Sequence, residues 1–233
     1  MEEILRLVEQ TDKPNWIVTA NPEILLEARR NPSYVKTIQQ ADLRVVDGFG
    51  LAGLLRIIGE RVHRVTGADL AEQLIRMAAT HHWRVGFFGG KPDVSKKAAE
   101  TMQKKFSVDI LAEEGGKISR DGTEDAESES ALSRLVLFAP QILLIGLGHP
   151  KQEQWILRHL SDFPALRAVI GVGGTFDFWS GSIARAPKWM RSIGFEWLWR
   201  VLQEPRRILR ILNALIVFPV FFIADLFSFK TKE

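Results

Sequence analysis

Across the first three quarters of the chain, short apolar runs alternate with longer segments in which apolar residues recur every three or four positions. The runs Trp16–Thr19, Leu43–Val46, Arg84–Phe88, Val108–Leu111, Gln141–Ile145 and Ala168–Val172 predict strands. Between them, Glu23–Arg30, Phe49–Ile58, Asp69–His82, Val94–Phe106, Asp125–Phe138 and Lys151–Leu160 predict helices. Strands and helices in alternation need crossover connections. The pattern therefore predicts an α/β fold, with a Rossmann-like, mostly parallel sheet carrying helices on both faces. No internal repeat interrupts it, and the polar stretch Glu113–Ser130 reads as a surface loop leading into an acidic helix start.

The pattern changes after Gly173. Between Ala184 and Arg210 the basic residues Arg185, Lys188, Arg191, Arg200, Arg206, Arg207 and Arg210 are opposed only by Glu196 and Glu204. The apolar run Ile211–Leu226 follows, broken by Asn213, Pro219 and Asp225. A membrane-spanning helix needs about 20 mostly apolar residues, which this run does not supply. Two placements fit it: in the interface of an anionic membrane, to which the preceding arginines and nearby tryptophans are suited, or packed on the main domain or a subunit interface. The expected division is a core over residues 1–190 and a basic, apolar, helical C-terminal appendage, membrane-associating in the first placement, over 191–233.

Composition adds exclusions. The chain of 233 residues has no cysteine, which removes a disulfide framework, a thiolate metal site and a thiol nucleophile. The acidic N-terminus lacks the basic and apolar regions of an export signal, so none is expected. Net charge is +3, but no nucleic-acid-binding motif accompanies the arginines and no nucleic-acid partner is expected.

In a parallel sheet, ligands bind beyond the carboxyl ends of the strands. The residues that follow the predicted strands are Thr19–Pro22, Asp47–Gly50, Gly89–Pro92, Gly146–Glu153 and Gly173–Asp177, small and polar. Asp47 directly follows an apolar strand. It fits a general base at the mouth of a site, and equally a cap for the helix after it. Asn21 fits a helix cap and a ligand contact, and Thr19 a strand end or a ligand contact. Gly86–Gly90 and Gly146–Gly148 permit close approach of a diphosphate, although neither completes a dinucleotide fingerprint or a P-loop. Gln152 and Glu153 open a helix, where a solvated first turn is the plain alternative to a binding role. His81 and His82 are expected to cap helix carbonyls. There is no D-x-D pair or HExxH, so no metal and no other cofactor is expected. A leaving diphosphate would then depend on arginines and backbone N–H groups.

Longer motifs go further. Thr19–Glu23 (TANPE), Ala41–Leu51 (ADLRVVDGFGL), Arg64–Leu70 (RVTGADL), Phe87–Gly90 (FFGG), Gly146–Trp155 (GLGHPKQEQW) and Gly171–Arg207 occur in this order. On these segments the chain resembles the WecG/TagA/CpsF glycosyltransferase family over nearly its whole length. The resemblance implies an inverting, metal-independent transfer of N-acetylmannosamine or a related sugar from a UDP-sugar. The acceptor would be GlcNAc-diphospho-undecaprenol, in cell-wall polymer or polysaccharide synthesis. TagA-like members use N-acetylmannosamine, WecG-like members its uronic acid and CpsF-like members other sugars. By the same resemblance Asp47 is the general base, Thr19 and Asn21 line the donor pocket, and Gln152 lies near the sugar or diphosphate. Arg200, Arg207 and Arg210 would close over the site and neutralise UDP. The implied location is the inner face of the cytoplasmic membrane, bound peripherally; separately, the apolar tail would favour self-association where it finds no membrane, which leaves a homo-oligomer open. A non-catalytic nucleotide-sugar-binding protein of the same fold is the alternative. A dehydrogenase is a more distant one, because the full GxGxxG and its acidic ribose partner are absent.

Overall fold

The apolar runs pair as one all-parallel sheet in the computed structural model, which describes residues 1–11 and 13–230, without the side chains of Arg207, Arg210 and residues 227–230. Its strands are β1 (Asn15–Ala20), β2 (Leu43–Val46), β3 (Val85–Gly89), β4 (Ile110–Glu113), β5 (Ile142–Gly146) and β6 (Ala168–Gly171), in the spatial order β2-β1-β6-β5-β3-β4. The last strand in sequence is thus central: Val169 pairs with Trp16 of β1 on one side and Leu143 of β5 on the other.

Alternation along each strand divides the core in two. Ile17, Val85, Phe87, Leu144 and Ile170 face one way, against α5 (Gly67–His81), α6 (Val94–Phe106) and α9 (Thr175–Trp179). Trp16, Val18, Phe88, Leu143, Ile145 and Val169 face the other, against α2 (Pro22–Arg30), α3 (Pro32–Gln39), α7 (Ala126–Phe138) and α8 (Lys151–His159). Both faces are covered, which is why the strands read as continuous apolar runs. In α5 the buried residues Leu70, Ala71, Leu74, Ile75 and Ala78 keep the helical three- and four-residue spacing. Thr66 starts that helix by accepting the N–H of Asp69 at 3.1 Å.

Several expectations shift. The fourth strand begins at Ile110 and not Val108, because Ser107 ends α6 in the left-handed region (φ 54°) and the chain must turn before it can pair. The helices α1 (Glu2–Gln10), α3 and the short α9 went unpredicted. α3 is opened by Asn31, whose side chain accepts from the N–H groups of Ser33 and Tyr34, with Pro32 at the first helical position. His81 does not cap α5. Its Nε2 lies 2.9 Å from Glu9 and its ring stacks on Trp83, tying α1 to α5. The left-handed His82 ends α5 through its backbone N–H, donated to the carbonyl of Ala78.

α4 (Phe49–Ile57) follows β2. Beyond α9 come α10 (Lys188–Ser192), α11 (Glu196–Gln203), a 3-10 turn, α12 (Ile208–Leu212), a π-helical turn over Asn213–Val217 and α13 (Phe218–Lys230). Phe218 is buried with Leu26 of α2 and Leu51 of α4, and the guanidinium of Arg29 lies 4.4 Å above the ring of Phe221. The other side of this C-terminal segment exposes apolar groups, with Leu209 at 70%, Ile216 at 58% and Val220 at 62%. Among the described residues no helix is long and apolar enough to cross a membrane.

Candidate active site

Because all six strands run the same way, the tips of β1, β2, β3, β5 and β6 meet at one edge, around a cavity of about 580 Å³. Its lining includes Thr19, Asn21, Asp47, Gln152 and Arg200, so five residues singled out from the sequence converge there. Ile211 also lines it, which brings α12 to the mouth. The side chains of the two further candidates, Arg207 and Arg210, lie outside the described residues.

Asp47 does not cap α4; that place falls to Gly48, whose φ of 92° only glycine adopts without strain. Its own carboxylate is held by backbone donors. Oδ1 accepts the N–H of Gly48 at 2.6 Å, and Oδ2 accepts that of Gly67, the first residue of α5, at 3.2 Å. Burial pushes this carboxyl above its ordinary range. The Gly67 N–H, Arg64 and the Gly48 N–H pull it back only in part, and Glu196 pushes it further up. A carboxylate of raised basicity in a cavity is what a general base requires.

Asn21 takes both roles open to it: its Oδ1 caps α2 by accepting the N–H of Ile24 at 3.0 Å, and the residue lines the cavity. Thr19 lies over the carbonyl of Gly171, with its methyl and hydroxyl 3.4 Å from where a Cβ of Gly67 would stand. Gln152 and Glu153 are not a solvated first turn. They are 4% and 2% exposed, with Gln152 lying against Gly171, where a Cβ would stand 2.3 Å from its Nε2.

Arg200 is buried in the cavity wall, and its charge is already engaged. Nη2 meets Asp177 at 2.9 Å, Nε meets Glu204 at 2.7 Å, and the guanidinium stacks 4.6 Å over Phe178. Lys91 stands 3.6 Å from Asp177. A second group lies near Asp47. Arg185 pairs with Asp69 at 2.7 Å and approaches Glu196 at 3.6 Å, as does Arg64. Burial alone would raise Asp69, but Thr66 and Arg185 outweigh it and hold that carboxyl below its usual range. These contacts stitch the segment 185–200 onto the start of α5. Sequence reasoning assigned no site role to Asp177, Lys91, Arg185 or Gly67. Asp177 and Lys91 were visible as strand-tip residues, whereas a backbone N–H such as that of Gly67 leaves no residue-type signal.

Among the described residues around the cavity, Lys91, Arg185 and Arg200 face four carboxylates, those of Glu23, Asp47, Asp177 and Glu196. No group of three or more His, Asp or Glu that could hold a metal ion occurs among the described residues.

An open parallel sheet with a polar, glycine-rimmed cavity beyond its carboxyl edge, holding a basic carboxylate, defines a ligand-transforming α/β protein. The sequence match makes this particular. A profile of the glycosyl transferase WecG/TagA/CpsF family covers residues 1–232, and the chain belongs to that family. It is 33% identical over 197 residues to N-acetylglucosaminyldiphosphoundecaprenol N-acetyl-beta-D-mannosaminyltransferase of Staphylococcus aureus strain MRSA252, covering 84% of this chain and 75% of the relative. The protein of the same name from strain MW2 matches to the same extent.

Proposed function

We propose that this glycosyltransferase moves N-acetylmannosamine, or a related sugar, from a UDP-sugar to GlcNAc-diphospho-undecaprenol, with inversion and without a metal ion. The observation that carries the reading is the Asp47 carboxylate, held at the cavity by two backbone N–H groups and made more basic by burial. In the proposed step Asp47 takes the proton from the acceptor hydroxyl. The freed oxygen attacks the anomeric carbon, the bond from that carbon to the UDP oxygen breaks, and its electron pair leaves with UDP. One displacement from the far side inverts the anomeric centre.

Thr19, Asn21 and Gln152 line the donor's side of this cavity. The leaving diphosphate needs cations, and those in the wall are outnumbered by carboxylates. The approach of Ile211 to the cavity supports a supply from α12 and the turn before it, and we assign Arg207 and Arg210 to that role. The exposed apolar side of residues 208–223 beside these basic residues supports docking of this appendage on an anionic bilayer, at the inner face of the cytoplasmic membrane. Away from a membrane the same surface supports self-association.

The test incubates the protein with a short-chain GlcNAc-diphosphate lipid and UDP-N-acetylmannosamine in EDTA, and follows UDP release. Release that needs the acceptor, survives EDTA and collapses in Asp47→Asn supports the reading. Turnover only with another UDP-sugar corrects the donor. Binding of UDP-sugars without turnover on any acceptor lipid makes this a binding protein and overturns the proposal.

A further inference from the structure

Beneath the cavity, next to Gln152, lies a buried carboxyl that the proposed step does not use, that of Glu153. Gln152 is held at both ends of its amide: Nε2 donates to Glu153 Oε1 at 2.7 Å, and Oε1 accepts the N–H of Gly173 at 3.2 Å. Glu153 is 2% exposed although it sits in the first turn of α8, where an acidic side chain ordinarily faces water. Behind it is Tyr34 of α3, the only tyrosine of the chain and fully buried. Among the described residues neither Glu153 Oε2 nor Tyr34 Oη meets a hydrogen-bond partner at full geometry, although the two groups act on each other electrostatically. A second contact joins the same two helices, Gln154 Nε2 donating to Thr37 Oγ1 at 3.2 Å.

A carboxyl in this position would ordinarily be placed against a cation, but among the described residues none acts on Glu153. Burial pushes it above the carboxylate range, with the hydrogen bonds from Gln152 and Tyr34 opposing. Oε1 accepts the Gln152 Nε2–H, and the Tyr34 hydroxyl is the donor that acts on the carboxyl from its other side.

We propose that Glu153, backed by Tyr34, is a positioning residue that fixes the amide of Gln152 so that its second Nε2–H is presented to an oxygen of the sugar-nucleotide donor. A primary amide has two N–H donors. One is consumed by Glu153, while the carbonyl end is turned to Gly173. The rotated amide would present its oxygen to the donor's oxygens, which repels them. Glu153 therefore sets the sign of the contact without touching the substrate. The inference rests on the cavity being the donor pocket.

The experiment compares Glu153→Leu and Glu153→Gln with the wild type. It reads donor KM, acceptor KM and kcat, together with UDP-sugar binding by calorimetry and the melting temperature. Glu153→Leu removes the acceptor atom and is expected to raise donor KM and Kd about tenfold, the order of one ligand hydrogen bond, with acceptor KM unchanged. Glu153→Gln keeps an acceptor oxygen for Gln152 at the same position, and is expected to stay within about twofold of wild type. Tyr34→Phe, which removes a single oxygen, is expected to raise donor KM alone and serves if the leucine variant does not fold. Unchanged donor KM in both Glu153→Leu and Tyr34→Phe overturns the inference. So does an equal loss in Glu153→Gln and Glu153→Leu, or a rise in both KM values together, which marks mere packing. Wild-type protein that binds no UDP-sugar overturns the donor-pocket reading itself, a result calorimetry reports without any turnover.

Discussion

Gly67, the first residue of α5, donates its backbone N–H to Oδ2 of Asp47 at 3.2 Å. The helix start thus offers its positive end to the carboxylate, while burial opposes the charge and prevails.

Asp47→Asn is expected to lower kcat by about 10²- to 10⁴-fold, the range for loss of a general base. It should also stabilise the fold. The folded carboxyl has a higher pKa than the unfolded one, so its contribution is fully present below the ordinary carboxylate range and is lost as pH rises through the folded value. Asparagine carries no charge to bury. Thermal melts should therefore place the variant above wild type at neutral pH and level with it in acid. Equal melting temperatures at both pH values would contradict the raised pKa.

Gly171→Ala is expected to act as a Gln152 variant. The new Cβ would stand 2.3 Å from Nε2 and 2.5 Å from Cδ of Gln152, so that side chain must leave its place. Steady-state kinetics should show donor KM rising in both Gly171→Ala and Gln152→Ala, and no further in the double variant.

The buried pair of Arg200 and Asp177 ties α11 to α9. Asp177→Ala leaves a buried guanidinium with Glu204 alone, and should cost about 3 kcal/mol in denaturant unfolding, the lower part of the range for breaking a buried pair. Replacing both residues together, Asp177→Leu with Arg200→Met, should recover most of that loss.

Leu209→Glu combined with Ile216→Glu places charge on exposed positions and disturbs no buried contact. Sedimentation with anionic vesicles should fall markedly in this variant, while UDP release from the donor with a water-soluble acceptor stays near wild type. Unchanged sedimentation would assign the apolar side to another partner.

Strands were legible because parallel strands covered on both faces are apolar throughout, and the glycine-rich tips that follow them marked the cavity edge. α3 was missed although Asn31 and Pro32 carry a helix-start signal, because few of its residues are apolar enough to show a period. Asp47, Thr19, Asn21 and Gln152 were visible as polar residues after or ending apolar strands. What they do to one another was not. The burial of Glu153 depends on α3 packing across α8, and the engagement of Arg200 depends on α9 meeting α11. Contacts of that kind join segments far apart in sequence, and residue type alone does not announce them.

The central place of β6 has a consequence for synthesis on the ribosome. Until residues 168–171 emerge, the emerging chain holds two unjoined half-sheets, β2-β1 and β5-β3-β4, with the apolar edges of β1 and β5 open. Gly173, Asp177 and Arg200 arrive later still. A nascent or truncated chain therefore has no finished cavity, and its unpaired strand edges stay open to wrong pairing until β6 arrives.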